Sequence, residues 1–464
     1  MKPCLNGRGA LDKRNVPPFA DGAADLVEAS PALAFLRLQC DRRPIGGTVA
    51  DERSDRPRLT RAQIASVTAG NALEFYDFVT YAFFATQIGH ALFPGNASSK
   101  LLLSLATFGV GFLTRPLGGI IIGRMADRRG RKPAMILSFT IMGVAMTGLA
   151  LTPSYAVAGM LAPLLALVFR LLQGFALGGE VGPNIAYLME AAPPGRRGLY
   201  ISLNFASADF AVLVAGLVGF GLSSVLPASD LESWGWRVAF LFGASIVPLG
   251  VRLRRTLTET LAEHDDVAPG TGKPLLLLAG AGLFIIAGAT ISNYTLDYLT
   301  TYAQATLHMP VPTAFAATVV LGSIGVVGDL AGGLLSDRFG PKRVLILPWM
   351  VLIASAIPVF HVLNQLRTAS ALLVSTAVLT VFHIMGSSPA TIHFGQSLPR
   401  RARAGTIGIV YALAIAIFGG TTQLAETLLI RWTGNPTAPG WYMMGAVTVA
   451  LTGALFIPER RRSA

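Results

Sequence analysis

Long apolar stretches alternate with short polar connections along most of this chain, and few charged positions interrupt them. A helix of roughly 20 apolar residues crosses a bilayer core about 30 Å thick. On that criterion we predict twelve membrane-spanning helices, at 64–92, 102–123, 133–152, 160–190, 198–225, 236–253, 275–303, 312–335, 344–364, 370–396, 405–431 and 439–458. Because the number of helices is even, both ends of the chain are expected on the same side of the membrane.

One short motif occurs at corresponding places in the two halves of the chain. It reads GRMADRRGRK from Gly123 and GLLSDRFGPKR from Gly333, and each copy follows the second apolar segment of its half. An internal repeat of this period in a hydrophobic chain indicates two related helical bundles. We therefore predict a disordered cytoplasmic tail at 1–60, a six-helix bundle at 61–253, a cytoplasmic linker at 254–273, a second six-helix bundle at 274–458 and a basic end at 459–464.

The composition favours a membrane protein and excludes a soluble enzyme. Hydrophobic residues make up 52% of the 464 residues and charged residues only 13%, far from the values of soluble domains. The net charge of +12 does not indicate nucleic acid, because the basic residues gather in alternate connections, as in the cytoplasmic loops of membrane proteins. Of the 37 Lys and Arg residues, the other connections hold only Lys100, Arg237, Arg367 and Arg431. Both termini are therefore expected in the cytoplasm.

Four further segments carry a resemblance to a known family. They read GNALEFYDF from Gly70, RPLG from Arg115, QGFALGGE from Gln173 and WGWR from Trp234. Together with the repeated motif, they resemble the major facilitator superfamily and, within it, the metabolite:proton symporter family. The resemblance runs from about residue 64 to 458, and the glycine pair at 419–420 and the stretch PGWY at 439–442 resemble its citrate and tricarballylate members.

The resemblance implies an all-α membrane protein whose twelve transmembrane helices form two pseudo-symmetric six-helix bundles. It also implies a secondary active transporter that moves a small organic anion, citrate or a related di- or tricarboxylate, together with a proton by alternating access. The expected partners are that substrate, the proton and the lipid of the plasma (inner) membrane. No nucleic acid is expected, and the protein is predicted to be a monomer.

Two alternatives stay open at this point. The substrate could instead be a zwitterion such as proline or betaine, or another metabolite such as shikimate or 2-oxoglutarate. From a different class, the chain could be a non-transporting membrane receptor on the same scaffold. A receptor of this kind would need a folded extension, whereas the composition of residues 1–60 predicts disorder.

No cofactor and no metal site are predicted. Cys4 and Cys40 precede the first helix and lack the spacing of metal ligands. The sequence contains neither a phosphate-binding Walker motif nor a nucleophile beside a base, so an enzyme or an ATP-driven pump is not expected. Transport would then draw its energy from an ion gradient.

Polar residues on one face of the first helix are the candidates for carrying a proton. At 100° per residue, Asn71, Glu74, Asp77 and Tyr81 fall within an arc of roughly 120°. A carboxyl group in the middle of a membrane helix is costly and is a functional hypothesis by default. We predict that Asp77 and Glu74 couple the proton and that Asn71 and Tyr81 contact substrate; the alternative is that the acids only join this helix to a neighbour.

Two arginines lie inside predicted helices and are the candidates for binding an anion. Arg115, in the second helix, presents a planar fork that suits a carboxylate. It could hold Asp77 or Glu74 and release it when substrate arrives, or it could form a permanent structural pair. Arg170 and Gln173 lie one turn apart on the fourth helix, so they could contact the same ligand or the same partner helix. The family resemblance associates Arg170 with proton coupling, and we predict Gln173 as a substrate contact.

The second half offers fewer candidates. Its ionisable residues inside predicted helices are Asp297, Asp329, His383, His393 and Glu426, and Asp209 lies in the fifth helix of the first half. From this half we predict Tyr298 and His393 as substrate contacts, although a lone histidine in such a helix is more often simply hydrogen-bonded.

We predict a mechanical role for the repeated motif. Gly123 and Gly333 would permit close packing where a helix leaves the membrane, and Asp127 and Asp337 could cap the next helix or pair with basic residues. Making and breaking such contacts would form a cytoplasmic latch between transport states. The residues assigned to this gating motif are Gly123, Asp127, Arg128, Gly130, Arg131, Gly333, Asp337, Arg338 and Gly340.

Overall fold

The structure is a computed structural model that describes residues 61–129, 131–178, 188, 192–193, 195–255, 273–399 and 403–458. The predicted tail at 1–60 and the basic end at 459–464 lie outside these ranges. So does most of the predicted linker at 254–273, although the flanking helices extend into it at Arg255 and Lys273.

Apart from short helical turns in the connections, twelve helices follow one another along the described chain, six in each half. They are α1 (Arg61–Phe83, then Ala85–Leu92), α2 (Ala97–Val110, then Arg115–Arg129), α3 (Arg131–Leu151), α4 (Leu161–Leu177), α5 (Arg197–Val225), α6 (Trp236–Arg255), α7 (Lys273–Ala305), α8 (Val311–Phe339), α9 (Pro341–Leu366), α10 (Ala369–Ser397), α11 (Arg403–Ala414, then Gly420–Thr433) and α12 (Ala438–Phe456). Each predicted span overlaps one of them, and most of the predicted span 160–190 beyond Leu177 lies outside the described residues. The end of the molecule that holds Arg129 and Asp337 is called the motif side, and the opposite end the far side.

The helices differ from the predicted spans chiefly in length and continuity. The helix α7 has 33 residues, which is about 50 Å at 1.5 Å per residue and exceeds the hydrocarbon core. A 3-10 turn, Gly111–Thr114, interrupts α2 just before Arg115, where Pro116 has no N–H for an α-helical bond. A π turn, Ile415–Gly419, interrupts α11. Both irregular turns lie where residues of α2 and α11 reach the cavity described below.

Length and apolar composition alone identify 9 membrane-crossing helices within the described ranges. Two further apolar helices, Ile136–Leu151 and Leu161–Leu177, are shorter. The first helix does not qualify because it turns at Phe84 and carries polar side chains near its middle. Those buried polar groups are tolerated since neighbouring helices, and not lipid, surround them.

Glycines bring α2 and α4 into backbone contact. A Cβ atom at Gly174 would meet the carbonyl oxygen of Gly111, and one at Gly178 would meet that of Arg115. Small residues at such crossings let helices approach closely enough for dispersion contacts along the backbone. This crossing fixes the relative positions of Arg115 on α2 and Arg170 on α4, which both belong to the candidate site.

The two halves of the chain meet along α5 and α8, which we call the α5–α8 seam. On its motif side, a Cβ atom at Gly198 would meet the Gly333 carbonyl, and on its far side one at Gly216 would meet Thr318 and Val319. The polar groups that cross this seam therefore connect the first half of the chain to the second.

Candidate functional site

A cavity of about 110 Å³ lies between the two halves of the chain. A water-sized probe needs only roughly 10–15 Å³ of such volume, so the cavity has room for a small metabolite or several waters. Residues of α1, α2, α5, α7, α8, α10 and α11 line it. The polar and ionisable members of this lining are Arg115, Asn204, Asp209, Thr290, Asn293, Tyr294, Asp297, Asp329, His383, Ser387, Ser388, Thr391 and Tyr411.

Arg115 supplies a positive charge to the cavity and is held there by aromatic rings. Its guanidinium carbon lies 4.3 Å from the centroid of the Phe112 ring and 5.0 Å from that of Phe78. Rings at these distances attract a cation without consuming its hydrogen-bond donors, and the Arg115 Nε has no hydrogen-bond partner. Glu74 and Tyr294 are close enough to act on this charge electrostatically. Arg115 is thus oriented toward the cavity with a donor still available for a ligand.

Asp77 is connected to Arg170 through Gln173. The Gln173 Nε2 donates a hydrogen bond to the Asp77 Oδ1 at 2.9 Å, and the Arg170 Nη1 donates one to the Gln173 Oε1 at 2.7 Å. All three side chains are at most 2% exposed. The second oxygen of Asp77, Oδ2, has no hydrogen-bond partner. The bond between Asp77 and Gln173 leaves that oxygen available to bind a proton.

Arg170 lies among aromatic rings rather than in the cavity lining. Its guanidinium carbon is 4.5 Å from the Tyr81 ring centroid and 5.1 Å from that of Phe108. The rings and Gln173 surround this guanidinium. The acid that acts on its charge electrostatically is Asp77. We considered that Arg115 could hold Asp77 or Glu74; in the structure the bridged partner of Asp77 is Arg170, and Glu74 acts electrostatically on Arg115.

The remaining candidates on α1 have different neighbours. The Asn71 Nδ2 donates to the Asn204 carbonyl oxygen at 2.9 Å and to the Ser207 Oγ at 2.8 Å, so this amide connects α1 to α5. The Tyr81 hydroxyl donates to the Ser104 carbonyl at 3.3 Å. Neither residue is part of the cavity lining. Glu74 is 3% exposed and lies beside the cavity, within electrostatic range of Arg115.

One stripe of α7 contributes polar side chains to the cavity lining from the second half. Its polar members are Thr290, Asn293, Tyr294 and Asp297, spaced by three or four residues as one helix face requires. This spacing is visible in the sequence and could have identified the stripe. Tyr298, which we predicted as a substrate contact, lies one turn further toward the far side, where its hydroxyl accepts a hydrogen bond from Thr427 at 2.9 Å.

The tenth helix also faces the cavity with one stripe. It consists of His383, Ile384, Ser387, Ser388 and Thr391. His393 follows two residues later, which rotates it about 200° away from Thr391. It is 3% exposed and lies outside the cavity lining. Of the two histidines on α10, His383 and not the predicted His393 reaches the cavity.

The second copy of the repeated motif joins the two halves on the motif side. The Asp337 Oδ1 accepts a hydrogen bond from the Gly198 backbone N–H at 2.7 Å, and its Oδ2 accepts one from that of Leu199 at 2.9 Å. These are N–H groups of the first turn of α5, whose N-cap residue Arg196 provides no side-chain hydrogen bond. A carboxylate at a helix N-terminus is stabilised by the free N–H groups and the helix dipole.

This contact differs from one of the two roles considered for the motif acids, capping of the next helix. Asp337 caps α5 of the other half, and Gly340, the N-cap residue of α9, provides no side-chain cap. The reason is geometric: α8 ends against the beginning of α5, where Gly198 and Gly333 allow the two backbones to touch. Gly340 has φ 92°, a left-handed conformation suited to glycine, and ends α8. Arg338 lies over the Phe339 ring at 5.2 Å.

The first copy of the motif is described only in part. The side chains of Asp127, Arg128 and Arg131 and the residue Gly130 lie outside the described part of the structure. Among the described residues, a Cβ atom at Gly123 would meet nothing within 4 Å, whereas one at Gly333 would meet Ser202 and the Gly198 carbonyl. Close packing at a motif glycine is therefore seen in the second copy.

Hydrogen bonds between the halves are also found on the far side. The Gln87 Nε2 on α1 donates to the Gln304 Oε1 on α7 at 2.8 Å, and the Thr301 hydroxyl donates to the Ala82 carbonyl at 3.4 Å. The cavity therefore lies between two sets of polar contacts, one on each side. An arrangement of this kind can expose a central site to one side at a time if either set separates.

Comparisons with known proteins identify relatives over most of the chain. The family model described as Major Facilitator Superfamily matches residues 67–422. A citrate-proton symporter of Klebsiella pneumoniae is 36% identical over 409 residues, which cover 86% of this chain and 91% of that protein. An alpha-ketoglutarate permease of Escherichia coli (strain K12) is 32% identical over 408 residues, which cover 86% and 93%.

Solved structures show the same fold. The xylose transporter XylE from E. coli, in a partially occluded inward-open conformation, matches with a TM-score of 0.68. The match covers 87% of this chain and 99% of that one, at 17% sequence identity. At this identity the similarity concerns the arrangement of helices alone.

Proposed function

Because this chain belongs to the major facilitator superfamily, we propose that it is a proton-coupled symporter of a small organic anion, with citrate or a related di- or tricarboxylate as substrate. Its relatives at 36% and 32% identity are named as a citrate-proton symporter and an alpha-ketoglutarate permease. The observation that carries the proposal is a cavity arginine with a free donor, Arg115, linked electrostatically through Arg170 to a buried acid with a free oxygen, Asp77.

The charges around the cavity give a physical reason for coupling. Glu74 and Asp77 balance Arg115 and Arg170 when all four side chains are ionised. Arg170 acts electrostatically on both Asp77 and Arg115, so these groups form one connected set. A proton on the Oδ2 of Asp77 leaves the set with one excess positive charge, which favours an anion at Arg115. Binding of the proton therefore promotes binding of the anion.

The acids of the cavity lining also link binding of the anion to binding of protons. Asp209, Asp297 and Asp329 face the cavity, and each one that is ionised repels an entering anion. Two like charges about 7 Å apart in a medium of effective dielectric constant about 20 repel by roughly 2 kcal/mol. Each proton that one of these acids binds removes one such repulsion, which favours entry of the anion together with protons.

The hydrogen bonds between the halves support alternating access. In our proposal the Asp337 contact closes the motif side, the Gln87 to Gln304 contact closes the far side, and the two open in turn. We propose that the motif side is cytoplasmic, since the basic connections lie there, and that the protein is a monomer of the inner membrane with bundles at 61–253 and 274–458. The first motif copy, with Asp127, would act as the second half of the same latch.

The test is uptake of labelled citrate into proteoliposomes with an imposed pH gradient. We expect accumulation that collapses with a protonophore, and uptake reduced at least tenfold by Arg115→Gln with less reduction by Arg115→Lys. Asp230→Asn, an acid in a far-side connection, is the control and should transport normally. Accumulation that persists under a sodium gradient alone would refute proton coupling.

One feature favours a second candidate, a zwitterion such as betaine. The lining places a cation, Arg115, and three acids in one cavity, which suits a substrate with a carboxylate and an ammonium group. A thermal-shift screen of carboxylates, amino acids and betaines separates the two candidates, because a ligand that binds the native state raises its stability. If betaine or proline raises the stability of the protein and citrate does not, the substrate is a zwitterion and not an organic anion.

A further inference from the structure

Two acids from different halves of the chain face each other in the cavity. Asp209 lies near the middle of α5 and Asp329 lies on α8, and both belong to the cavity lining. Their carboxyl groups are within hydrogen-bonding reach of each other. The pair therefore crosses the α5–α8 seam about 12 Å from the Asp337 contact, since Asp329 precedes Asp337 by eight residues at 1.5 Å each.

Both carboxyl groups lack a hydrogen-bond donor on one oxygen. The Oδ2 of Asp209 and the Oδ2 of Asp329 are buried and have no partner, and Asp329 is 2% exposed. Two ionised carboxylates about 3 Å apart repel by roughly 5 kcal/mol at an effective dielectric constant of about 20. A single proton removes most of this repulsion and supplies the missing donor, because the O–H of one acid then donates to the other.

The position is shaped to hold this pair. A side chain at Gly325 would occupy the place of the Asp209 carboxyl group, so only glycine on α8 leaves room for it. Ser388 of α10 lies beside Asp329. Gly325 thus leaves the space that the Asp209 carboxyl group occupies, and the packing of α5 against α8 holds Asp209 and Asp329 together.

A second, independent feature points into the same cavity. His383 of α10 is 1% exposed and its Nδ1 has no hydrogen-bond partner. A buried polar nitrogen without a partner is costly, and in this cavity it faces space that a ligand or water can enter. The acid pair and His383 are thus polar groups whose hydrogen bonding is incomplete without something bound.

Within the described part of the chain, no cationic side chain is in direct contact with the pair. Asp297 of α7 acts electrostatically on Asp209 with the same sign of charge. The other ionisable groups in the lining are Arg115 of α2, Tyr294 of α7, His383 of α10 and Tyr411 of α11, while Glu74 and Asp77 of α1 lie beside it. Of the described residues, none from α6 or α9 lines this cavity.

We propose that Asp209 and Asp329 form a second proton-binding site, separate from Asp77, in which one shared proton ties α5 to α8. The proposal builds on the proton-coupled function proposed above. In the bound state one acid is protonated and donates to the ionised one, so the pair carries a single negative charge. When the proton leaves for water, two negative charges remain and their repulsion loosens the seam. The expected ligand is the proton itself, and its departure favours opening along α5 and α8.

Infrared spectroscopy of the purified protein, without substrate, tests this directly. A protonated carboxyl group gives a C=O stretching band that moves to lower frequency in D₂O, and an ionised one does not. At neutral pH we expect both Asp209→Asn and Asp329→Asn to lose the intensity of one such band. Asp230→Asn should keep it. A band that both variants retain would overturn the proposal, and a band lost in only one would assign the proton to that acid alone and exclude sharing.

Gly325→Ala provides a second route if either asparagine variant fails to fold. The added methyl group displaces the Asp209 carboxyl group without removing it. We expect the same band to shift or disappear, and an unchanged band in folded Gly325→Ala would contradict a shared proton. These spectra need no substrate, so they test the shared proton separately from proton-coupled transport. The band can be absent although uptake is sensitive to a protonophore, and it can be present although uptake is insensitive.

Discussion

The contact between Asp337 and the first turn of α5 allows a quantitative prediction. Replacing Asp337 by Ala removes two hydrogen bonds, of 2.7 Å and 2.9 Å, to the Gly198 and Leu199 N–H groups. Since Arg196 provides no side-chain cap, no neighbouring group on α5 replaces them. The substitution should therefore weaken the closed arrangement of the motif side and leave each half of the chain folded.

The magnitude follows from the geometry of the contact. A hydrogen bond to a charged group contributes about 1.5–3 kcal/mol, and loss of a helix N-cap costs about 0.5–2 kcal/mol. Asp337 is partly exposed, so solvent screening places the total near the lower values, at about 2 kcal/mol. This corresponds to a change of roughly 30-fold in the ratio of closed to open motif side. If the ratio of closed to open molecules is about ten to one before the substitution, it becomes about one to three after it.

Distances between spin labels can measure this change. Arg252 at the end of α6 and Arg343 at the start of α9 are exposed and lie on the motif side in different halves. Both can be replaced by labelled cysteines after Cys4 and Cys40 are changed to serine. We expect Asp337→Ala to populate a longer distance.

Two variants complete this experiment. Asp337→Asn keeps the shape but loses the charge, so it should have an intermediate effect. Asp230→Asn, on the far side, should leave the distance distribution unchanged. If Asp337→Ala gives the same distribution as the unmodified residue in folded protein, the Asp337 contact is not a latch and the reasoning fails.

Two further predictions concern the proton path and the tail. Asp77→Asn keeps a hydrogen-bond acceptor for Gln173 but cannot bind a proton. Accumulation of substrate should therefore be abolished, while exchange of internal for external substrate continues in a counterflow assay. Unchanged accumulation would show that Asp77 is not on the proton path. Deleting residues 2–58 should leave uptake intact, because the described cavity is built from residues 75–415; loss of membrane insertion on deletion would show that the tail is required.

Hydropathy predicted the order of the helices because burial in lipid acts on each segment separately. The twelve spans and the position of the repeated motif follow from local composition and charge, and neither depends on which helices touch. Arg170 and Gln173 were assigned to one site because they lie one turn apart on α4. Their connection to Asp77 joins residues 96 positions apart in the chain, and no local pattern specifies such a contact.

Two predicted substrate contacts of the second half, Tyr298 and His393, lie outside the cavity lining for a geometric reason. Tyr298 belongs to the correct face of α7 but lies one turn beyond the cavity, and His393 lies on another face of α10. Sequence spacing indicates which residues share a face, but the height of the cavity along each helix depends on how the helices cross. That height is set by backbone contacts such as those at Gly174 and Gly333.

The α5–α8 seam differs in chemistry from another contact of the two halves, between α2 and α11. There, a Cβ atom at Gly109 would meet the Gly420 carbonyl, and Phe112 packs beside Gly420. These contacts are apolar or between backbones, and their strength does not change with protonation. The α5–α8 seam instead contains the Asp209 and Asp329 pair near its middle and Asp337 at its end. Proton binding should therefore act mainly on the α5–α8 seam, and spin labels across α2 and α11 should show a smaller dependence on pH than labels across α5 and α8.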